Sequence, residues 1–116
     1  MKNKKLKVLF IFGTRPELIK FIPLIKEFKL KKNITVKTFH TKQHDYLLKN
    51  ILKVYRIYPD YNSNIVNKKL SISEFASKLM LKLNKHFNKN KYDYIFVLGD
   101  TTTALVSALT AFNNNQ

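Results

Sequence analysis

Two short apolar runs in this chain each end at a glycine, and each glycine is followed by polar residues and then by apolar side chains at helical spacing. The two junctions read Phe12-Gly13-Thr14-Arg15-Pro16-Glu17 and Gly99-Asp100-Thr101-Thr102-Thr103. A buried strand, a sharp turn and a helix form the repeating unit of an open parallel sheet, which binds ligands outside the carboxyl ends of its strands. The pattern therefore predicts an α/β fold in which Arg15 and Asp100 meet in one cleft.

The first part of the chain is predicted to form a βαβ unit. Residues 7–12 are apolar and rich in strand-forming types, residues 16–31 carry apolar side chains at helical spacing, and residues 34–40 alternate between apolar and polar. Pro23 lies inside the helical stretch and is expected to kink it, because proline removes a backbone hydrogen bond. Asn33 is expected to close this helix.

The later part of the chain continues the alternation of strands and helices. Ser71-Ile72-Ser73-Glu74 has the spacing of a capping box, in which a hydroxyl and a glutamate each satisfy backbone amides at a helix start. The remaining predicted elements are a helix at 44–55, a polar connection at 58–69 with room for a short strand, a strand at 94–98 and a helix from 101 to about 112. These elements predict a Rossmann-like parallel sheet flanked by helices.

A sheet of this kind is expected to continue after residue 112. A bare parallel edge strand would leave backbone groups unpaired and apolar surface uncovered. The expectation is therefore that residues 1–116 form an incomplete N-terminal Rossmann-like domain, the front of a longer protein.

The net charge of +15 raises nucleic acid as a partner. However, only Arg15 and Arg56 among the 22 basic residues are arginine, and bidentate recognition of phosphates and bases favours the guanidinium group. The lysines are spread along the sequence rather than interleaved with aromatic residues. Nucleic-acid binding therefore remains an alternative that the composition disfavours.

The sequence also bears on cofactors, metals and location. The only glycines are Gly13 and Gly99, so neither the dinucleotide fingerprint nor the Walker lysine motif can be formed, and NAD and ATP are disfavoured. The chain has no cysteine, and His40 and His86 show no ligand spacing with an acidic partner, so no metal site is expected. No stretch approaches the roughly 20 apolar residues of a membrane span. A cytoplasmic protein without membrane attachment is expected.

Several polar residues near the two junctions are candidates for binding or catalysis, and each also has an ordinary structural explanation. Arg15 at a helix start favours an anion such as phosphate, or is simply solvated. Lys20 is more typical of ordinary surface. Asp100 is a common helix N-cap residue type, or an acid or base at the strand end.

The threonines after Gly99 and the residues after the second predicted strand also have both a functional and a structural explanation. Thr101, Thr102 and Thr103 either cap the last helix or offer hydroxyls to a sugar or phosphate. Gln43 and His44 follow the second strand, and either face the same cleft or only begin a helix.

The order and spacing of several motifs resemble the non-hydrolysing UDP-N-acetylglucosamine 2-epimerases across nearly the whole chain. The matching segments are Phe12-Gly13-Thr14-Arg15-Pro16-Glu17, Lys20, Pro23-Leu24, Gln43-His44, Pro59-Asp60-Tyr61 and Gly99-Asp100-Thr101-Thr102-Thr103. The resemblance implies the two-domain glycosyltransferase-B architecture, with this chain matching only the front of the first domain. The C-terminal nucleotide-binding domain is then absent from this chain.

The resemblance also implies an activity without a cofactor. Members interconvert UDP-N-acetylglucosamine and UDP-N-acetylmannosamine by removing the C2 proton and expelling UDP, which gives a 2-acetamidoglucal intermediate. Full-length relatives are expected to be homodimers. This chain alone is expected to be inactive. Two alternatives stay open, a non-catalytic module that binds anions or nucleotide sugars and a basic nucleic-acid binder.

Site residues follow from the same resemblance. Asp100 matches the acidic residue after the later strand. Arg15 and Lys20 match the basic residues near the substrate, and Gly13, Thr14, Thr101 and Thr102 belong to the matching substrate loops. Gln43 and His44 match a region that contacts a second, activating UDP-N-acetylglucosamine, although Lys42 stands where the family usually has glycine.

Overall fold

The computed structural model describes residues 4–116, which form a four-stranded parallel sheet with helices on both faces. The strands are β1 (Leu6–Phe12), β2 (Ile34–His40), β3 (Tyr61–Asn62) and β4 (Tyr94–Phe96). The helices are α1 (Arg15–Lys29), α2 (Asp45–Val54), α3 (Ile72–Lys89) and α4 (Thr102–Asn113). The predicted α/β class and parallel sheet are confirmed.

The strand order β3-β2-β1-β4 places the first strand inside the sheet. The chain adds β2 and β3 on one side of β1 and then returns to add β4 on the other side, where Val8 pairs with Tyr94 and Phe10 with Phe96. The winding direction therefore reverses between β1 and β4. In open α/β sheets this reversal point is where ligands bind, beyond the carboxyl ends of the two strands.

Strand β1 is buried on both faces because alternate side chains point into two separate cores. Leu9 and Ile11 pack with residues of α3 and α4, including Leu83 and Val106. The side chains between them enter the second core, which α1 and α2 complete; this core contains Val8, Phe10, Phe12, Leu18, Phe21, Ile25 and Leu48. A near-continuous apolar run is what a central parallel strand requires.

Two predicted boundaries agree closely with the structure. Strand β2 spans residues 34–40 as the alternation predicted. Helix α3 begins after Ser71, whose hydroxyl accepts from the Glu74 amide at 3.0 Å while the Glu74 carboxylate accepts from the Ser71 amide at 3.0 Å. The predicted capping box is therefore confirmed.

The expected helix end at Asn33 is wrong. Helix α1 continues through Pro23 but ends at Lys29, and the amides of Leu30 and Lys31 turn back to the carbonyls of Glu27 and Phe28. The carbonyl of Asn33 instead accepts from the Leu6 amide at 2.8 Å. Asn33 therefore already belongs to the pairing of β1 with β2.

The last strand is shorter than predicted, since β4 ends at Phe96 and not at residue 98. Within residues 4–116, none of the helices combines the length and the apolar character that crossing a membrane demands.

Candidate functional site

The loop between β1 and α1 closes around the side chain of Glu17. This carboxylate is 2% exposed. Its Oε1 atom accepts hydrogen bonds from the amides of Gly13 and Thr14 and from the Thr14 hydroxyl, each at 2.9 Å. The first amides before α1 are thus satisfied by an internal anion, at the helix end where backbone amides favour negative charge.

The second oxygen of Glu17 joins this loop to the loop after β4. Its Oε2 atom accepts from the Thr101 hydroxyl at 2.7 Å. Thr101 is the N-cap of α4, and its Oγ1 atom accepts from the Ala104 amide at 3.0 Å. One threonine hydroxyl therefore caps a helix and binds a carboxylate from the neighbouring strand junction.

A second bridge joins the start of α4 to the loop after β2. The amide oxygen of Gln43 accepts from the Thr103 amide at 3.1 Å and from the Thr103 hydroxyl at 2.7 Å. The hydroxyls of Thr41 and Thr103 lie 2.8 Å apart, and both side chains are fully buried. Gln43 thus does more than precede a helix, because its amide oxygen holds the start of α4 in place.

Gly13 allows these three loops to meet. A Cβ atom at this position would collide with the Thr41 hydroxyl and lie 2.6 Å from the Thr103 hydroxyl. Any other residue type would have to displace these hydroxyl side chains. Glycine is favoured at position 99 for a different reason. The space around Gly99 is open, but its φ of +80° is a backbone conformation that favours glycine.

Of the predicted substrate residues, Gly13, Thr14 and Thr101 belong to the hydrogen-bond network around Glu17, and the others lie beside it. Arg15 is the first residue of α1 and Asp100 precedes Thr101, so both follow the carboxyl ends of neighbouring strands, and both side chains are exposed. Lys20 is also exposed on α1, about 140° around the helix from Arg15 at about 100° per residue. The capping alternative for Asp100 is wrong, because Thr101 occupies the N-cap position and supplies the capping hydroxyl.

Thr102 and His44 occupy the remaining predicted positions. Thr102 is the first residue of α4 and is half-buried. His44 is exposed at the N-cap position of α2, and its backbone amide donates to the Gly13 carbonyl at 2.8 Å. A groove of about 680 Å³ lies beside it, lined by residues from Lys42 to Leu47 and from Asn64 to Lys68. Gln43 and His44 are therefore brought together at one groove.

The buried side chain of His40 fixes the loop that carries these residues. Its Nδ1 atom accepts from the Lys42 amide at 3.2 Å, so Nε2 carries the proton and donates to Asp45 at 3.2 Å. Burial lowers the pKa of His40 and outweighs the opposing effect of Asp45. Lys42 itself has a φ of +66°, a conformation that favours glycine.

The described residues lack the cluster of ligand side chains that a metal site requires. Across residues 4–116, no group of three or more histidine, cysteine, aspartate or glutamate side chains is arranged to hold a metal ion.

Comparison with known proteins gives a consistent assignment. The sequence profile of the family described as UDP-N-acetylglucosamine 2-epimerase matches residues 26–115. The UDP-N-acetylglucosamine 2-epimerase of Salmonella borreze is 42% identical over 94% of this chain. The chain belongs to the UDP-N-acetylglucosamine 2-epimerase family.

Solved structures of this family have the same fold. The Neisseria meningitidis UDP-GlcNAc 2-epimerase, determined with UDP-GlcNAc bound, superimposes with a TM-score of 0.87 at 37% identity and covers 95% of this chain. A putative family member from Listeria monocytogenes gives a TM-score of 0.88 at 33% identity over 97% of the chain. The sheet is therefore part of a glycosyltransferase-B type fold. The chain spans 29% of the length of the Salmonella relative and 30% of each of these structures.

No role was predicted from the sequence for Glu17 or Thr41, and for Thr103 the prediction was a helix cap or a ligand contact and not the observed bonds to Gln43 and Thr41. The sequence did contain a pattern that indicates a helix-capping role for Glu17, because Thr14 and Glu17 have the three-residue separation of a capping box. No sequence signal joined Glu17 to Thr101, since they are 84 residues apart and meet only through the strand order.

Proposed function

We propose that this chain forms one side of the active site of a UDP-N-acetylglucosamine 2-epimerase, at the cleft between β1 and β4. The observation that carries the proposal is the contact between the two motif loops, which the 2.7 Å hydrogen bond from Thr101 to Glu17 holds together at the reversal point of the sheet. Family membership supports UDP-N-acetylglucosamine and UDP-N-acetylmannosamine as the substrates.

The proposed reaction needs proton transfer at C2 and stabilisation of a departing diphosphate. A base removes the C2 proton while the bond between C1 and the UDP oxygen breaks, and the products are 2-acetamidoglucal and UDP. Delivery of a proton to the opposite face of C2 and return of the UDP oxygen to C1 complete the epimerisation. Asp100 offers an exposed carboxylate for proton handling, and the cations of Arg15 and Lys20 stabilise the diphosphate.

The chain alone is expected to be inactive. It spans about a third or less of its relatives. Catalysis depends on holding all reacting groups together, and one side of a cleft cannot do so. The proposal includes a cytoplasmic location and dimerisation of the full-length relatives.

A chimera tests the proposal directly. Residues 4–116 replace the equivalent segment of the Salmonella borreze enzyme, and epimerisation is followed by the appearance of UDP-N-acetylmannosamine. The chimera is expected to be active, and Asp100→Asn should lower kcat by about 10²-fold or more. Arg15→Ala should also lower turnover, whereas Arg56→Ala, at an exposed position after α2, should not.

The outcomes separate the proposal from its alternatives. A folded chimera that binds UDP-N-acetylglucosamine without turnover would indicate a binding module. Turnover that survives Asp100→Asn would remove Asp100 from the mechanism. Binding of nucleic acid by the 116-residue chain would fall steeply with salt through counterion release, whereas binding of a single sugar nucleotide would change little.

A further inference from the structure

Glu17 is buried more deeply than capping a helix requires. It is the only acidic side chain among residues 4–116 that is buried, and none of the ion pairs in this part of the chain involves it. Removing a carboxylate from water costs several kcal/mol unless hydrogen bonds replace the lost solvation. The four hydrogen bonds to Glu17 supply that replacement.

Helix α3 provides an internal comparison for this feature. Glu74 occupies the same N3 position in the capping box of α3 as Glu17 does in α1, and it caps the helix while exposed to solvent. Capping therefore needs neither burial nor a second partner. What distinguishes Glu17 is the hydrogen bond that its Oε2 atom accepts from the Thr101 hydroxyl on another loop.

The two ends of this contact lie next to the residues proposed for chemistry. Arg15 is two positions before Glu17 in the first turn of α1, and Asp100 immediately precedes Thr101. A single carboxylate thus fixes the backbone that carries the cation and the backbone that carries the proposed proton-transfer group. The same carboxylate occupies the amides of Gly13 and Thr14, so these amides are not free to bind a diphosphate, and its stabilisation falls to the side chains of Arg15 and Lys20.

We propose that Glu17 is a positioning residue of the site. It fixes the backbone at Asp100 relative to the backbone at Arg15, because its carboxylate binds both the Thr101 hydroxyl and the amides that precede α1. The catalytic meaning of this role rests on the proposed function, whereas the contact itself can be tested without substrate.

The ligand-free test compares Glu17→Gln with Glu74→Gln in the 116-residue chain by amide NMR spectra. Glutamine keeps an oxygen for the amides but changes the partner of the Thr101 hydroxyl. Glu17→Gln should shift the signals of Asp100, Thr101 and Thr102, whereas Glu74→Gln should shift only signals near Ser71. Unchanged signals after β4 in a folded Glu17→Gln variant would overturn the proposal.

A second pair of variants covers the case in which Glu17→Gln fails to fold. Thr101→Ser keeps the hydroxyl that binds Glu17, and Thr101→Val removes it. Thr101→Val should shift the amide signals of Gly13 and Thr14, and Thr101→Ser should leave them near their original positions. Equal shifts in both variants would contradict the proposal.

The kinetic test uses the chimera. Glu17→Gln should lower kcat about 10- to 100-fold, the scale expected for small misplacement of reacting groups. Glu74→Gln is the matched control and should retain full activity. An inactive parent chimera would refute the proposed function, and the NMR spectra would then decide the positioning contact alone. Full activity of Glu17→Gln in an active chimera would overturn the positioning role.

Discussion

The hydroxyls of Thr41 and Thr103 lie 2.8 Å apart and occupy the space that a Cβ atom at residue 13 would need. This contact brings the ends of β1, β2 and β4 together, because Thr41 follows β2 and Thr103 lies in the first turn of α4. The absence of a side chain at residue 13 is therefore a packing requirement of the site.

Gly13→Ala should destabilise the chain by about 3 kcal/mol, at the upper end of what overpacking costs, because the added methyl group must separate the two hydroxyls. Gly99→Ala is the matched control, since it meets no atoms but requires a positive φ, and should cost about 1–2 kcal/mol. Urea unfolding of both variants measures the difference. A smaller loss for Gly13→Ala than for Gly99→Ala would contradict the described packing.

Gln43→Ala should lower the free energy of unfolding by about 1–3 kcal/mol, because the buried amide and hydroxyl of Thr103 lose their common acceptor. His44→Ala should change stability by less than about 0.5 kcal/mol, since its side chain is exposed and makes no capping hydrogen bond. Thermal unfolding compares the neighbouring variants. Similar losses in both would show that Gln43 does not hold α4.

Lys42→Gly should stabilise the chain by up to about 1 kcal/mol. A lysine at φ +66° carries a steric cost of about 1–2 kcal/mol, and glycine removes it at an entropic cost of about 0.5–1 kcal/mol. Lys42→Ala retains the steric cost and should leave stability unchanged. Urea midpoints of the two variants test this, and a destabilised glycine variant would argue against the left-handed conformation.

Stability should fall as the pH is lowered from about 6.5 towards about 4. Burial, with a smaller contribution from the charge of Lys7, lowers the pKa of His86 to about 4, while the unfolded side chain titrates near 6.5. Between these values the unfolded chain binds more protons, so acid favours unfolding. His86→Gln should flatten the dependence of the urea midpoint on pH, although the lowered pKa of His40 leaves part of it. The matched control is His44→Gln, at an exposed position. A full acid response in His86→Gln would exclude His86 as the cause.

Local signals predicted local structure well. The alternation at 34–40 and the box at Ser71 each reflect contacts within a few residues, and both appear in the structure as expected. The N-cap of α4 was harder to predict, because Asp100 and Thr101 are both suitable residue types and only the backbone path decides between them.

Nonlocal contacts could not be predicted in the same way. Thr14 and Glu17 have capping spacing, but the burial of Glu17 depends on Thr101 arriving from β4, and hence on the strand order. The pairing of His40 with Asp45 likewise depends on the turn at Lys42, where the backbone adopts a conformation that lysine rarely takes. The resemblance had marked Lys42 as unusual, and the structure supplies the stereochemical reason.

The pairing of β1 with β4 has a consequence for synthesis of the chain. Phe10 leaves the ribosome well before its partner Phe96, which lies 86 residues later in the sequence. Until then the backbone groups on one edge of β1 have no strand to pair with, and part of its apolar surface is exposed to water. Such delayed pairing slows folding and leaves nascent chains prone to aggregation, so this fold depends on the chain remaining soluble during elongation.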